Sequence, residues 1–377
     1  MPEEVKLGII GTGQIGKMHL AGYAGRARGP RGLPPVPGAR MMAACDINEE
    51  EVKRVAADYD IPHVFTDLHE LLAMEEIVAV DVCLHNNLHA PVSIAAMEAG
   101  KHVYCEKPLA GSYVDAERMC RKAGELNRML SMQLGSLFNK ETVAAKRLVD
   151  DGHLGRPYYA KSSYYRRRGR PFVDGYGTQF FVRKDSAAGG ALFDMGVYHI
   201  GQILYLLGNP EVLTISGVTH QEIDMYEERR RSSGYDVEEL GIGLVRLAGG
   251  ITFFIEEAWA IHLSGTDGSK IAGSKGGVTL HPFAYHTTVS DMELDGEFGL
   301  DSAMTRWMRV LPETGACQSP QHHWVAALRG DVELVPTAEI GLNTMLISEG
   351  IYLSQELGRE VTPDEVREHS VSTSVSV

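Results

Sequence analysis

The sequence lacks long apolar runs and an excess of positive charge. No run of about 18 apolar residues occurs in the chain, so a membrane-spanning helix is not expected. Lys and Arg number 36 against 50 Asp and Glu, and the net charge is −14. This charge opposes long-range attraction to nucleic acid and to anionic lipid. We therefore expect neither nucleic acid nor a membrane as a partner.

Cysteine is also scarce, at five residues. Their number is odd, no two form a CxxC pair, and they form no cluster with histidine at metal-ligand spacing. Disulfides and a cysteine-based metal site are therefore not expected. The first residues, MPEEVKLGII, lack the basic and then apolar stretch of a secretion signal. These absences favour a cytoplasmic protein with no bound metal.

What the sequence does contain indicates two globular domains. Its 377 residues exceed what one hydrophobic core usually holds. Residues 1–132 alternate short apolar runs with amphipathic segments, which predicts an α/β Rossmann domain with a doubly wound parallel sheet. Residues 133–377 place strand patterns in succession, which predicts an α+β domain with an open, mostly antiparallel sheet. An open sheet usually needs a covering partner, so we expect a homodimer or homotetramer.

The apolar pattern also gives bounds for individual elements. In the first domain it predicts strands over residues 5–10, 41–45, 78–84 and 103–105, and a helix over 92–99 that Gly100 ends. In the second domain it predicts helices over 140–150, 319–329 and 337–358, and strands over 157–165, 212–218, 240–247 and 251–257. Residues 26–39 are rich in proline, glycine and arginine, which predicts a surface insertion.

A glycine-rich motif directly follows the first predicted strand and opens a helix. Its residues are Gly11, Thr12, Gly13, Gln14, Ile15 and Gly16. In a GxGxxG motif the first glycine permits a tight turn, the second admits a pyrophosphate, and the third allows close packing of helix on strand. The free N–H groups of the helix start then bind the phosphates. This context predicts a dinucleotide site.

The acid expected at the end of the second strand is Asp46, which would accept hydrogen bonds from the adenosine ribose. It lies 30 residues after Gly16, further than the usual distance of about 20, because the insertion intervenes. A carboxylate there repels a 2′-phosphate, so NAD is the expected cofactor. NADP is the less favoured alternative, which rests on arginines in or beside the insertion: Arg26, Arg28, Arg31 and Arg40.

Four segments in a fixed order resemble the Gfo/Idh/MocA oxidoreductases, a family that includes glucose–fructose oxidoreductase and inositol dehydrogenase. The segments are GxGxxG, VDVCLHNNLHAP, AGKHVYCEKPLA and GGALFDMGVYH. The resemblance implies an enzyme that transfers a hydride between nicotinamide and a secondary hydroxyl of a sugar, a glycoside or a cyclitol. The 3-hydroxyl of a pyranoside is the favoured position.

The resemblance also assigns residues of the first domain. Lys107, in the segment that contains Glu106 and Pro108, is implied to bind the reacting hydroxyl, and the Lys107–Pro108 bond is implied to be cis. An ammonium at that place favours the alkoxide as the hydride leaves. Glu106, Lys107 and a second motif are implied to contact the cofactor, and the motif residues are Leu84, His85, Asn86 and His89. His85 and His89 are four apart, but no third ligand accompanies them, so zinc is not expected there.

In the second domain the resemblance implies a proton carrier four residues after Asp194, where Tyr198 stands. His199 is displaced by about 100° around a regular helix. It becomes the alternative base if the first turn of that helix is irregular. Lys107 acting alone is a third possibility. Asp194 is implied to bind a substrate hydroxyl and also suits the N-cap of the helix.

An aromatic and arginine-rich segment, residues 164–172, precedes this motif. Tyr165 and Arg167 in it are predicted to bind substrate together with Lys107, Asp194 and His199, because aromatic faces stack on sugar rings and guanidinium groups bind hydroxyls. A surface loop or a subunit contact is the alternative for this segment. Two other functions stay open for the chain as a whole. One is a redox-neutral, NAD-dependent lyase or glycosidase that oxidises a ring carbon transiently, and the other is a non-enzymatic NAD-binding regulator.

Overall fold

The first sheet and its helices are built by the N-terminal third of the chain. A computed structural model describes residues 4–26, 32–264 and 268–377. In chain order the elements of this part are β1 (Val5–Ile10), α1 (Gln14–Tyr23), β2 (Ala39–Cys45), α2 (Glu49–Asp58), β3 (His63–Phe65), α3 (Leu68–Leu72), β4 (Ala79–Val82), α4 (Asn86–Glu98), β5 (His102–Cys105), α5 (Tyr113–Glu125) and β6 (Leu130–Met132).

These six strands form one parallel sheet in the order β3-β2-β1-β4-β5-β6. This is the strand order of a dinucleotide-binding Rossmann domain. The central strands β1, β4 and β5 are almost entirely buried because helices cover both faces of the sheet, whereas the edge strand β3 is partly exposed. The carboxyl ends of β1, β2, β4 and β5 meet at one edge of the sheet, which brings the motifs that follow them together.

The remaining chain builds a second sheet and more helices. Its elements are α6 (Lys140–Asp150), β7 (Pro157–Tyr165), α7 (Lys184–Ala187), α8 (Val197–Leu206), β8 (Val212–His220), α9 (Glu227–Ser233), β9 (Leu240–Leu247), β10 (Ile251–Ala258), β11 (Lys270–Gly273), β12 (Gly276–Leu280), β13 (Phe283–Val289), β14 (Met292–Gly296), α10 (Leu300–Val310), α11 (Pro312–Ala316), α12 (Pro320–Arg329), α13 (Thr337–Leu357) and α14 (Pro363–His369). Two 3₁₀ turns, Gly135–Phe138 and Gln179–Val182, and a π-helical turn, Leu192–Gly196, complete the list.

The second sheet has eight strands in the order β14-β13-β12-β11-β7-β10-β9-β8. All neighbouring pairs are antiparallel except β7 and β10, which run parallel. Helices α8 and α13 pack on one face of this sheet. Along β10 the residues that face these helices are buried, whereas Phe254 on the other face is exposed. The sheet is therefore half covered, as the alternating pattern predicts.

The C-terminal helices return to the first sheet. Trp324 of α12 is completely buried and stacks on Tyr104 of β5 with ring centroids 5.8 Å apart. It belongs to a small core with Val5 and Leu7 of β1. Thr337, at the start of α13, accepts a hydrogen bond from the backbone N–H of Met132 on β6. Residues far apart in the sequence thus complete the core beneath the dinucleotide loop.

The structure confirms the predicted fold class, a parallel Rossmann sheet followed by a mostly antiparallel one. Several predicted elements match to the residue, among them α6, β7 and β9. The four-stranded extension β11–β14 and the helices α10, α11 and α14 were not among the predicted elements. Of the insertion, residues 27–31 lie outside the described part of the chain. Within the described ranges no helix has both the length and the apolar character that crossing a bilayer needs.

Candidate active site

The glycine-rich loop has the geometry that a pyrophosphate requires. Gly11 has φ +95°, and a Cβ on it would lie 2.2 Å from the carbonyl oxygen of Cys83. A Cβ on Gly16 would lie 2.0 Å from the Gly11 carbonyl oxygen, so neither position admits a side chain. A Cβ on Gly13 would meet nothing within 4 Å, so open space lies above this residue. The first and third glycines therefore hold the loop, and the second leaves room for a ligand.

The ribose acid lies beside this loop. Asp46 follows β2, and its Oδ2 accepts hydrogen bonds from the backbone N–H (2.7 Å) and the hydroxyl (3.1 Å) of Thr12. Gly13 is the N-cap of α1 and supplies no side-chain cap, so the first N–H groups of the helix are free to bind an anion. The loop, the uncapped helix and the carboxylate together fit NAD.

The arginines that could favour NADP have other partners where they are described. Arg26 donates to the carbonyl oxygen of Asp58 and lies over the ring of Tyr59. Arg40 pairs with Glu4 at 3.5 Å. Arg28 and Arg31 lie outside the described residues. The carboxylate of Asp46 is thus the charge that the described residues place beside the loop, and it disfavours a 2′-phosphate.

The motif after β4 contacts the second domain. Asn86 begins α4, and its Nδ2 donates to the carbonyl oxygen of Ala187 at 2.9 Å. The ring of His85 packs on Phe180 with centroids 5.1 Å apart. His89 is buried, with Nδ1 2.7 Å from the carbonyl oxygen of Pro108 and Nε2 3.1 Å from that of Leu84. Backbone carbonyls face both ring nitrogens of His89, so this ring connects the segment after β5 to the segment after β4.

Lys107 and Asp194 meet across the two domains. Lys107 follows β5 in a segment with a cis bond to Pro108, as the family resemblance implied. Its Nζ lies 2.8 Å from Oδ1 of Asp194 and 3.1 Å from the Asp194 carbonyl oxygen. The other oxygen of Asp194 accepts a hydrogen bond from Nε1 of Trp259, at 2.9 Å. Both side chains are mostly buried, with 14% and 20% of their surface exposed.

The charges of this pair stabilise each other. Burial alone would lower the pKa of Lys107, but Asp194, Tyr198 and Glu106 raise it above its ordinary value. Burial would likewise raise the pKa of Asp194, and the Lys107 ammonium lowers it instead. Lys107 therefore stays an ammonium and Asp194 a carboxylate at neutral pH. A cation held in this way can stabilise an alkoxide but cannot itself accept the hydroxyl proton.

Asp194 sits in a π-helical turn that directly precedes α8. Gly190, just before the turn, donates its N–H to Oε2 of Glu238 at 2.8 Å, and Leu192 donates to Oε1 at 2.9 Å. A Cβ on Gly190 would lie 1.9 Å from the Glu238 carbonyl oxygen, so only glycine allows this approach. A π turn adds one residue to the helical repeat. Two residues that are five apart across this turn therefore lie closer to the same face of the helix than they would in a regular α-helix.

Tyr198 and His199 consequently have different surroundings. The Lys107 ammonium lies over the Tyr198 ring, 5.0 Å from its centroid. His199 points to β10, where its Nδ1 lies 2.9 Å from Oε2 of Glu257. Glu257 is fully buried and accepts a second hydrogen bond from Ser162 at 2.5 Å. Asp194 and His199 thus both contact the end of β10, through Trp259 and Glu257, while Tyr198 faces Lys107.

The side chains of the aromatic and arginine-rich segment point in two directions, some toward the site and some away from it. Tyr164 stacks on His199 with ring centroids 4.9 Å apart, and Tyr165, the next residue of β7, points to the opposite face of the strand. Arg166 donates to the hydroxyl of Tyr176 and lies over the ring of Tyr164, 6.0 Å from its centroid, so it lies beside the site. Arg167 is exposed and donates to the carbonyl oxygen of Leu263. The structure therefore brings Tyr164, Arg166 and Tyr176 to the site, and it does not bring Tyr165 and Arg167 there.

Comparison with known proteins agrees with this geometry. Residues 5–134 match an oxidoreductase family with an NAD-binding Rossmann fold. Residues 142–279 match the C-terminal domain of the same family. The chain belongs to the Gfo/Idh/MocA family. Its two matched regions correspond to the two sheets described above, and the family's NAD-binding Rossmann fold confirms NAD as the cofactor class.

Individual Gfo/Idh/MocA relatives are distant in sequence and close in architecture. D-glucoside 3-dehydrogenase of Escherichia coli K12 is 26% identical over 365 residues, which are 95% of this chain and 97% of the relative. Myo-inositol 2-dehydrogenase of Thermotoga maritima is 26% identical over 204 residues, which are 54% of this chain and 55% of the relative. The crystal structure of an NAD-binding oxidoreductase from Klebsiella pneumoniae has a TM-score of 0.79 at 20% identity, covering 96% of this chain and 99% of that one. At this identity the structure shows the fold.

Sequence reasoning missed the residues that support the Gfo/Idh/MocA motifs from the second sheet. Glu238 carried no sequence signal beyond its place beside a strand. Glu257 had one weak signal, an acidic residue at an inward position of an otherwise apolar strand, where a buried charge needs a partner. Trp259 is another such residue; it is fully buried, and its Nε1 donates a hydrogen bond to Asp194.

Proposed function

We propose that the protein is an NAD-dependent dehydrogenase that oxidises a secondary hydroxyl of a sugar, a glycoside or a cyclitol. The observation that carries the proposal is the Lys107–Asp194 pair, which joins the dinucleotide domain to the second domain at the carboxyl edge of the first sheet. The relative that aligns over 95% of the chain is named a D-glucoside 3-dehydrogenase. This supports a glycoside as substrate and its 3-hydroxyl as the reacting group.

Lys107 and Asp194 bind the reacting carbinol in this proposal. Bound NAD supplies the acceptor for the hydride. The Lys107 ammonium donates a hydrogen bond to the substrate oxygen, and its charge stabilises the alkoxide character that grows as the hydride leaves. Asp194 accepts from a neighbouring hydroxyl and holds the ammonium in place. Two adjacent hydroxyls on one ring suit this pair, which is the pattern of sugars and cyclitols.

His199 takes the hydroxyl proton in this proposal. The Glu257 carboxylate accepts from Nδ1, which leaves Nε2 as the acceptor. With 20% of its surface exposed, His199 can also pass the proton to water. Tyr198 lies beneath the ammonium and orients it through its ring. The reaction then balances, since the C–H bond gives a hydride to NAD and the O–H bond gives a proton to His199.

Three side chains form the sugar-facing wall in this proposal. Tyr164 stacks on His199, Arg166 donates to the Tyr176 hydroxyl, and both Tyr164 and Tyr176 remain partly exposed. Burial raises the pKa of Tyr176 to about 12, so its hydroxyl stays a neutral hydrogen-bonding group. Flat aromatic faces beside a guanidinium suit a sugar ring with several hydroxyls.

A screen of sugars, glycosides and inositols with NAD and with NADP tests the proposal by NADH absorbance. We expect NADH formation with at least one glycoside, and a lower kcat/KM with NADP because Asp46 repels its 2′-phosphate. Lys107→Met should abolish turnover while NAD, followed by the quenching of tryptophan fluorescence, still binds. Met308→Leu, at an exposed residue of α10, is the matched control and should keep full activity.

Other outcomes of the same screen would replace the proposal. Product formation from a glycoside without net NADH would indicate a redox-neutral glycosidase or lyase. Binding of NAD with no turnover of any substrate would indicate a regulator. Full turnover by Lys107→Met would remove Lys107 from the mechanism.

We also propose that the protein is a cytoplasmic homo-oligomer. All five cysteines are free, which suits a reducing compartment. The outward face of the second sheet carries a row of exposed apolar side chains, in which Val218 of β8 pairs with Ile242 of β9, and Phe254 of β10 pairs with the position two residues further along β9. A second copy of this chain placed on that face would cover the row.

A further inference from the structure

A buried histidine that the proposed chemistry does not use lies behind Lys107. His19 is in the second turn of α1, the helix that begins at the dinucleotide loop, and only 3% of its surface is exposed. Its Nδ1 lies 2.9 and 3.0 Å from the two oxygens of Asp81, on β4. Its Nε2 lies 2.8 Å from Oε1 of Glu106, directly after β5. The ring thus bridges two buried carboxyl groups from neighbouring strands.

The geometry points to a doubly protonated ring. An ionised carboxylate only accepts hydrogen bonds, so a ring between two carboxylates must donate from both nitrogens. Burial would lower the pKa of His19, but Asp81 raises it well above its ordinary value. Burial would raise the pKa of Glu106, and its hydrogen bond with His19 lowers it instead. A neutral ring would leave two carboxylates buried side by side with one donor between them, which is costly.

The second oxygen of Glu106 connects this cluster to Lys107. Oε2 of Glu106 accepts a hydrogen bond from the backbone N–H of Lys107 at 2.8 Å. A continuous chain of contacts therefore runs from Asp81 through His19 and Glu106 to the backbone of Lys107. It ties the dinucleotide-binding helix to the lysine that reaches Asp194 across the cleft.

We infer that His19 is a positioning residue, which as a cation clamped between Asp81 and Glu106 holds Glu106 on the Lys107 backbone and thereby sets the Lys107 ammonium relative to the dinucleotide helix. The inference rests on the proposed function for its kinetic readout only. Without the clamp, Glu106 is free to turn toward the Lys107 ammonium, which would move that group away from Asp194 and the substrate oxygen.

Metal binding would be an alternative role for part of this cluster. In the described part of the chain, the ligand atoms of His19, Asp81 and Cys83 lie within 4.8 Å of one another. Hydrogen bonds already account for these distances, since the Cys83 thiol donates to Asp81 at 3.3 Å. Burial and Asp81 both raise the pKa of Cys83, which opposes the thiolate that a metal needs.

The protonation state of His19 can be measured without any substrate. We expect ¹⁵N NMR of the full-length protein to show both ring nitrogens of His19 protonated at pH 8, in a signal identified by its loss in His19→Gln. The titratable groups around the ring are Asp81, Cys83, Tyr104, Glu106 and Tyr198, and Tyr23 of the same helix lies near Asp81. A neutral tautomer at pH 8, or a stoichiometric metal in the purified protein, would overturn the inference and leave the proposed function intact.

Kinetics then test the positioning role. We expect His19→Gln to lower kcat about 10- to 100-fold, the scale of a misplacement of about 1 Å, with the NAD affinity and the KM for substrate nearly unchanged. Asp81→Asn removes one carboxylate and lowers the pKa of His19, so its kcat should approach that of the parent at low pH and fall as the pH rises and the ring loses its second proton. A merely structural role would give no such profile.

The matched control is Tyr104→Phe. Tyr104 lies next to His19, with ring centroids 5.7 Å apart, and its buried hydroxyl has no hydrogen-bond partner among the described residues. Its loss should leave kcat unchanged. A kcat within about twofold of the parent in His19→Gln, or a pH profile of Asp81→Asn parallel to that of the parent, would contradict the positioning role.

Discussion

Glu257 explains why His199 is suited to carry a proton. The carboxylate is fully buried on β10, and its two oxygens accept hydrogen bonds from Ser162 and from His199. A buried carboxylate is energetically costly unless it is paired, so Glu257 keeps its hydrogen bond to His199. This hydrogen bond fixes the orientation of the ring, and the negative charge stabilises the imidazolium that forms on proton uptake. Tyr198 lacks such support. Burial raises the pKa of Tyr198, and the Lys107 ammonium only partly offsets this.

Replacing each candidate in turn should identify the proton carrier. We expect His199→Asn to lower kcat about 10²- to 10⁴-fold, the usual contribution of a general base, and to remove the dependence of kcat on pH near neutrality. Tyr198→Phe keeps the ring beneath Lys107, so we expect a much smaller decrease in kcat for this variant. The measurement is kcat for the glycoside found in the screen, followed from pH 5 to pH 10.

Glu257→Gln is the companion variant for this test. It keeps the size of the side chain and removes the charge that stabilises the imidazolium, so its kcat should fall between those of the parent and of His199→Asn. If Tyr198→Phe loses activity and flattens the pH profile while His199→Asn does not, the tyrosine is the proton carrier.

The residues that sequence could predict are those that form a local pattern. Gly11, Gly13 and Gly16 act through the backbone of one turn, so their spacing between a strand and a helix identifies them, and Lys107 lies in a short segment at a strand end that the family resemblance identified. Glu257 lies 58 residues after His199 and Glu238 lies 48 after Gly190. Contacts at that separation depend on sheet register and leave no local pattern.

At the scale of elements, the π-helical turn is the feature that local sequence could not show. In a regular helix Tyr198 would share a face with Asp194, and His199 would point away from that face. The turn instead forms because Glu238 accepts from Gly190 and Leu192 and because glycine permits the close approach. The strands β11 to β14 were missed for a related reason. They are short or partly exposed, and each pairs with the strand before it in a series that begins with β11 on β7.

A partly buried carboxyl group joins helices α13 and α5. Glu349 of α13 accepts a hydrogen bond from the N–H of Tyr113, the first residue of α5, at 2.5 Å. Burial raises its pKa from 4.5 to about 7. Between these two values the folded state holds a proton that the unfolded state has lost. Stability is therefore complete below pH 4.5 and declines as the pH rises through 7.

Glu349→Gln should accordingly stabilise the protein at alkaline pH, since glutamine keeps the acceptor and cannot ionise. We expect its free energy of unfolding to exceed that of the parent by about 1 kcal/mol at pH 5 and about 3 kcal/mol at pH 8. Urea unfolding followed by tryptophan fluorescence measures both values. Glu356→Gln, at an exposed position of the same helix, is the control and should show no such trend. A constant difference between Glu349→Gln and the parent at all pH values would contradict the assignment.

At the scale of the whole molecule, the two domains share side chains that neither could complete alone. Trp324 fills the core beneath β1 and β5, and Asn86 donates to Ala187 across the cleft. Lys107 reaches Asp194 in the same region. The first sheet ends with β6 at Met132 and the second begins with β7 at Pro157, so the two sheets are separate in the sequence. The cofactor domain nevertheless depends on helices from the end of the chain, which composition and periodicity could not reveal.

The uncovered face of the second sheet gives the last prediction, which concerns assembly. Val218, Ile242 and Phe254 are exposed by 42%, 39% and 41% on three adjacent strands. Because the parent chain has a mass of 41.3 kDa, light scattering after size exclusion should give two or four times that mass. Ile242→Glu combined with Phe254→Glu places two charges of the same sign in the row and should reduce the mass to one chain, or from four chains to two, with NAD still bound. Val310→Lys, at a residue exposed by 69% on α10, should leave the assembly intact. An unchanged mass in the double variant would show that this face is not the contact, since two buried charges without partners would each oppose association by several kcal/mol.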